Sequence, residues 1–336
     1  MNKLNKWGVS ALCGSLAAIS AANAGDLSVT GGADMTWVSL DDQVTGNPIG
    51  MGSNYGFSGS GELDNGWSVA LGIYHDNGGA YSNANVTIGI PGLGDIRIDQ
   101  GVSGTGIDSM DDKTPSVWEE ADGAGLSAGI ANVTGVSAGA NIQVTPTDLM
   151  PDGLVTKVAF TQDADSGTTV GDKAAGGTTG VLGAGWDVTV EAGSGLHGIE
   201  GLNVYGGISR VDVYQNSAAY SGDSEEQVIG VSYAMGGFTV GYQMNEDDTG
   251  RATTNTKYEN TMYSVTFSVN DDLSIGYNHT ESDRASTTNV TAEATSYQAA
   301  YTMGGATIRV AEVDVENQAY GTADYEATIV SMGLAF

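Results

Sequence analysis

The chain has 336 residues, with 41 Asp and Glu against 11 Lys and Arg and a formal net charge of −30. This balance excludes nucleic acid as a partner, because phosphate binding rests on clustered positive charge. A single cysteine, Cys13, excludes a disulfide framework.

Residues 1–24 read as an export leader. Lys3 and Lys6 form a basic start, Val9 to Ile19 is apolar, and Ala22-Asn23-Ala24 is a small-residue cleavage site. The apolar stretch is too short to span a bilayer. The expected mature chain is 25–336, without Cys13 and more acidic still. No later segment approaches the ~20 continuous apolar residues of a membrane helix, so any crossing of a membrane is made by strands. All five prolines (Pro48, Pro91, Pro115, Pro146 and Pro151) fall in turn-like stretches, as an unbroken strand ladder requires.

Alternating segments predict strands near 26–40, 53–63, 67–76, 84–90, 94–100, 126–145, 154–162, 183–192, 202–214, 226–235, 238–245, 258–269, 273–280, 294–303, 306–315 and 325–336. The stretch 126–145 is long for one strand and rich in Ala, Gly and Ser. The pattern is clearest in the C-terminal half, where Phe238, Val240, Tyr242 and Met244 alternate with Thr239, Gly241, Gln243 and Asn245. The alternation slips after Ile208 and after Val310, which reads as bulges or as the ends of a lipid-facing zone. Short turns at Met235-Gly236-Gly237, Asn270-Asp271-Asp272 and Met303-Gly304-Gly305 are separated by polar loops at 245–256, 281–292 and 317–324. The last segment places Val330, Met332, Leu334 and Phe336 on one face, as expected of a strand that closes a barrel. Trp67, Tyr233, Phe238, Phe267, Tyr301 and Phe336 lie beside the short turns, where an interfacial aromatic girdle belongs.

An even number of strands, short and long connections in alternation, and one apolar face per strand predict an all-β fold. It is a 16-stranded antiparallel transmembrane β-barrel with short periplasmic turns and long outer loops. The terminal strand 325–336 and the segment Gly106-Ile107-Asp108-Ser109-Met110-Asp111-Asp112-Lys113-Thr114-Pro115, with Glu119 and Glu120, carry a resemblance to the alphaproteobacterial (Rhodobacter-like) Gram-negative general diffusion porins. The resemblance covers essentially the whole mature chain. It implies an infolded third loop that narrows the pore, a homotrimer, and passive diffusion of small hydrophilic solutes and cations through the outer membrane of a Gram-negative bacterium. Its surroundings would be outer-membrane lipid and lipopolysaccharide.

The loop after the fifth strand, 101–122, is the most acidic long connection. Asp108, Asp111, Asp112, Glu119 and Glu120 are the expected constriction carboxylates, with Asp122 nearby. In a lumen they would favour cations. Bound Ca²⁺ at the acidic loops is a conceivable relief of their repulsion, although no metal site is defined by spacing. Arg97, Lys157, Arg210 and Arg309 are expected on the lumen wall, because an arginine facing lipid near the midplane costs about 2–4 kcal/mol. No catalytic residues are assigned and no enzyme is expected. The G-x-S-x-G matches at 125–129 and 135–139 lack a strand–turn–helix setting. The G-x-G-x-x-G match at 193–198 leads into a strand rather than a helix. His75, His197 and His279 have no metal-ligand spacing. The competing reading is a plugged outer-membrane barrel acting as an adhesin or structural protein.

Overall fold

The computed structural model describes residues 27–41, 45–76, 83–100, 102–119, 127–165, 180–213 and 219–335. The leader, Glu120, Asp122 and Phe336 lie outside the described residues. Sixteen strands run in order: β1 (Leu27–Asp41), β2 (Ile49–Glu62), β3 (Ser68–Asp76), β4 (Asn83–Ile90), β5 (Gly94–Gln100), β6 (Ala140–Thr145), β7 (Leu154–Thr161) and β8 (Leu182–Ala192). They continue as β9 (Leu202–Val213), β10 (Ser224–Met235), β11 (Phe238–Asp248), β12 (Lys257–Ser268), β13 (Leu273–Ala285), β14 (Val290–Met303), β15 (Ala306–Glu316) and β16 (Tyr325–Ala335). Each pairs antiparallel with its sequence neighbours, and β16 closes onto β1 from Gly32↔Ala335 to Asp41↔Glu326. Closure satisfies every edge, which a sheet in lipid requires.

Alternation sorts the side chains into two populations. The outer face carries an apolar belt, including Tyr55, Leu71, Ile98, Phe160, Ile229 and Tyr242, each more than a third exposed. The inner face carries buried small and polar groups such as Asn141, Thr189, Ser209, Asn278 and Ser331. Of the aromatics expected beside the short turns, the described ones, Trp67, Tyr233, Phe238, Phe267 and Tyr301, sit on the outer face, and Phe238 stacks on Phe267 at 4.3 Å between centroids.

Three sequence expectations are corrected. Residues 126–145 do not form one strand: β6 begins only at Ala140, and 127–139 is irregular chain inside the barrel. Its small residues suit close packing against a wall. The polar stretches near 245 and 281–292 are largely ladder, because β13 reaches Ala285 and β14 starts at Val290. Backbone pairing continues there after the outer face has turned acidic, since the ladder needs no apolar side chain. Of the two readings of the slips after Ile208 and Val310, the bulge is ruled out, for both registers run unbroken, and the end of the lipid-facing zone holds. Above those points the apolar residues pass to the inner face. Val211 joins Val136, Ala159 and Ala164, while Val313 and Val315 join Tyr325, Ala327 and Ile329. The one register shift in the ladder between β8 and β9 lies between Leu182 and Gly185.

Candidate functional site

The connection from β5 to β6 enters the barrel and makes two passes along the inner wall. The first pass, 102–119, crosses from β5 towards β14. The second, 127–139, returns closer to the outer rim.

Gly106 and Gly135 start the docking. Both have φ of +55°, where L residues are strained, and both lie against Asp187 of β8 so closely that a Cβ would stand 2.0 and 2.4 Å from its Oδ2. The fully buried Asp187 carboxylate accepts from the backbone N–H of Ile107 at 3.0 Å and of Val136 at 3.2 Å, tying both passes to one point. Glu226 of β10 accepts from Thr134 and Gly135 N–H at 3.0 and 2.7 Å. Between the passes, Asp108 accepts from Gly104 N–H and from Ser137 Oγ.

Further along, neutral amides hold the first pass. Gln143 accepts from Gly106 N–H. Gln243 accepts from Lys113 N–H and donates to the carbonyls of Met110 and Asp111. Asn245 donates to Asp111 O, Asn278 to Pro115 O, and Gln298 accepts from Trp118 N–H. Asn260 donates to Ala131 O on the second pass. Each such bond contributes about 1 kcal/mol net, and more is lost when a buried partner is orphaned.

Packing follows the same line. Ile107, Met110 and Val133 are buried against Tyr205 and Val228. A fully buried side chain of this size stabilises by about 1.5–3 kcal/mol. The wall makes room with glycine: a Cβ on Gly241 would stand 2.3 Å from Pro115 Cδ, and one on Gly276 2.7 Å from Val117 Cγ2. At the far end Ala128, Ile130 and Trp118 cover the inner apolar patch of β14, β15 and β16. Tyr320 accepts there from Ala131 N–H at 2.9 Å.

The expected site residues divide as follows. Asp108, Asp111, Asp112 and Glu119 lie on the infolded first pass. Burial holds the Asp108 carboxyl above its ordinary pKa. Burial, and then repulsion from Asp112, push Asp111 up to about 9, so the Asp111 carboxyl is protonated at neutral pH. Arg97, Lys157 and Arg309 face inward. Arg97 bonds Asp99 and, at 3.1 Å, Ser103 O; Lys157 Nζ donates to Ser109 Oγ at 3.2 Å. Arg309 bonds Asp34 Oδ1 at 3.0 Å and lies 5.8 Å from the Trp118 ring centroid. Arg210 is a correction. It shares the outer face of β9 with Val204 and Ile208, half exposed, and pairs with Asp223 at 2.7 Å and Glu225 at 3.2 Å. It sits past Ile208, beyond the apolar belt, so the cost of placing a charge in hydrocarbon does not apply.

Alternation places Gln243 and Asn245 on the inner face. Their size among Gly, Ser and Thr was the available signal that something docks there. Asp187, Glu226, Gln143, Gln298 and Tyr320 carried no such signal, because what they hold is backbone distant in sequence.

The barrel is closed, has sixteen strands and holds a loop inside its lumen, and the sequence matches the Gram-negative porin family over residues 8–336. The chain belongs to that family. This porin's fold is similar to that of Salmonella typhi OmpF, solved with daunomycin, at TM-score 0.67 and 14% identity, covering 93% of this chain and 98% of that one. A mutant of the Rh. blastica porin aligns at TM-score 0.58 and 15% identity, over 93% and 100% of the respective chains. No curated protein sequence matches. Family and fold make this porin a diffusion channel of the Gram-negative outer membrane: hydrophilic solutes pass through the lumen beside the loop.

Proposed function

We propose that the channel prefers cations, and that the first pass of the loop, with Asp111 and Asp112 at its turn, sets that preference. The observation that carries this reading is the wall the loop leaves uncovered. β1 to β4 contain no Lys or Arg, and their inward positions are mostly Ser, Thr, Gly and Asn, with Val38, Leu40, Ala70 and Tyr74 and the carboxylates Asp34, Glu62 and Asp76. Of the described inward cations, Arg97, Lys113 and Arg309 are each paired with a carboxylate: Asp99, Glu191 and Asp34. Lys157 and Arg284 contact Ser109 and Tyr320. Confined negative charge raises the local cation concentration and lowers that of anions. The lumen has carboxylates facing a neutral wall rather than a basic one.

Export through the leader 1–24 and assembly as a trimer complete the proposal. Both rest on the leader's composition and on the family resemblance. The channel rather than any enzyme chemistry is the function supported by family and fold. Single-channel recording of refolded protein in a planar bilayer, first in symmetric salt and then across a gradient, tests it. Conductance steps with a cation-selective reversal potential are expected. Anion selectivity would overturn the proposed role of the carboxylates.

A further inference from the structure

Above the second pass of the loop, three neighbouring strands set a row of unlike groups on the inner face near the outer mouth of the pore. Asp247 of β11 pairs with Tyr258 of β12, and Tyr258 pairs with Arg284 of β13. All three side chains are half-buried. The second pass is the floor beneath them, held by the inward residues one step lower. Asn260 donates to Ala131 O at 2.8 Å and to Asn132 Oδ1 at 2.9 Å, and Ser282 Oγ donates to Asn260 Oδ1 and bonds the Tyr320 hydroxyl. Tyr320 closes one side, with its ring centroid 5.2 Å from that of Tyr258.

The two charges of the row are left open. Arg284 lies 5.0 Å from the Tyr320 ring centroid and donates to Tyr320 O at 3.2 Å, contacts that fix the guanidinium without neutralising it. Arg97, Lys113 and Arg309 each take a carboxylate; among the described residues Arg284 takes none, and no cation pairs with Asp247. Glu226, the partner of Asp247 on its other side, is engaged by the N–H groups of Thr134 and Gly135. Asp247 and Arg284 do not answer each other, because two strand spacings, roughly 10 Å of sheet, separate their backbones.

We propose that this row binds a zwitterionic solute of dipeptide size on its way into the pore, with its ammonium on Asp247, its carboxylate on Arg284 and its backbone across the Tyr258 ring. An extended dipeptide spans roughly 7 Å, and a hydrogen bond at either end covers the remaining gap. A single α-amino acid reaches one end only. The proposal rests on the channel reading, since only a solute in the lumen meets these groups.

The test is single-channel recording of the refolded full chain in a planar bilayer with dialanine on both sides. Its binding constant, read from the excess current noise, should be roughly tenfold higher than that of N-acetyl-dialanine, which lacks the ammonium, or of dialanine amide, which lacks the carboxylate; one hydrogen bond to a charged group is worth about that factor. In D247N, acetylating the peptide should make no further difference, and in R284Q neither should amidation. This pairing separates direct contact from a change in the overall field, which would move all solutes of one charge alike. Conductance steps in salt report that each variant has folded and inserted. Equal binding of the three peptides by wild type overturns the proposal. So does an acetylation penalty in D247N as large as in wild type, or alanine binding as tightly as dialanine. If R284Q releases Tyr320 and fails to insert, wild type and D247N decide alone. No salt conductance from folded, inserted protein would overturn the channel reading itself, whereas conductance without peptide binding overturns this proposal only.

Discussion

Replacing Asp111 with Asn should leave ion selectivity almost untouched at pH 7. With its carboxyl held at about 9 by burial and by Asp112, Asp111 is only about 1% ionised two units lower, so the substitution removes a group that is already neutral. The double variant also removes the Asp112 carboxylate. At ~5 Å in water with 0.1 M salt, one unit charge is worth about 0.5 kcal/mol to a passing ion. Cations lose this attraction and anions lose the matching repulsion, so the permeability ratio should fall about fivefold in D111N/D112N. The assay is the reversal potential of single channels across a salt gradient, taken from pH 6 to 10. Wild-type cation preference should rise as pH passes about 9 and Asp111 ionises, while D111N should stay flat over that range. A D111N channel at pH 7 that has already lost as much selectivity as the double variant would refute a neutral Asp111.

The same raised pKa has a consequence for loop docking. Asp111 contributes docking stability that is complete below the ordinary carboxylate pKa and is lost as pH rises through about 9. Hydrogen exchange of 102–119, corrected for intrinsic rates, should therefore be better protected at pH 6 than at pH 9.5, and D111N should narrow the difference. Gly241→Val puts a Cβ 2.3 Å from Pro115 Cδ, against an ordinary contact of ~3.5–4 Å. The loop must then move inward by more than 1 Å by this reckoning, and unitary conductance should drop; an unchanged conductance would show that the wall yields instead. Ile107→Ala opens a cavity beside Met110 and Val133 and should cost about 2–5 kcal/mol of docking, read as increased channel noise and admission of larger solutes in liposome swelling. Asp187→Leu orphans the N–H groups of Ile107 and Val136 and should release both passes together, with proteolysis of 102–139 in folded barrels as the readout.

The barrel was legible because lipid imposes a period of two on every strand that crosses it. Val240, Tyr242 and Met244 on one face and Gly241 and Gln243 on the other leave little freedom. What the alternation does not encode is where lipid ends. Above Val310 the apolar residues Val313 and Val315 face inward to meet the loop, and a reader following hydrophobicity alone registers a slip. The second pass was misread as strand for a related reason. Its Ala, Gly and Ser residues suit a sheet as well as they suit chain pressed against a wall, and only distant partners such as Glu226 and Tyr320 distinguish the two. Arg210 failed because hydrophobic burial was assumed to extend to the end of β9. The loop stood out as the most acidic long connection, but the burial that raises the Asp111 carboxyl is not stated by sequence.

The loop is fastened along the wall from β6 round to β14, by Gln143, Asp187, Glu226, Gln243, Asn278 and Gln298 in turn. β1 to β4 receive no such bond among the described residues. The loop is thus hydrogen-bonded to one arc of the wall and leaves the facing arc without such bonds. On that facing arc Gly50, Gly52, Gly56 and Gly72 line the lumen, with the Tyr74 ring lying over Gly56 and Gly72. Substitutions that loosen the loop and substitutions that fill the glycine-lined arc therefore fall on different strands, and each is open to alteration without the other.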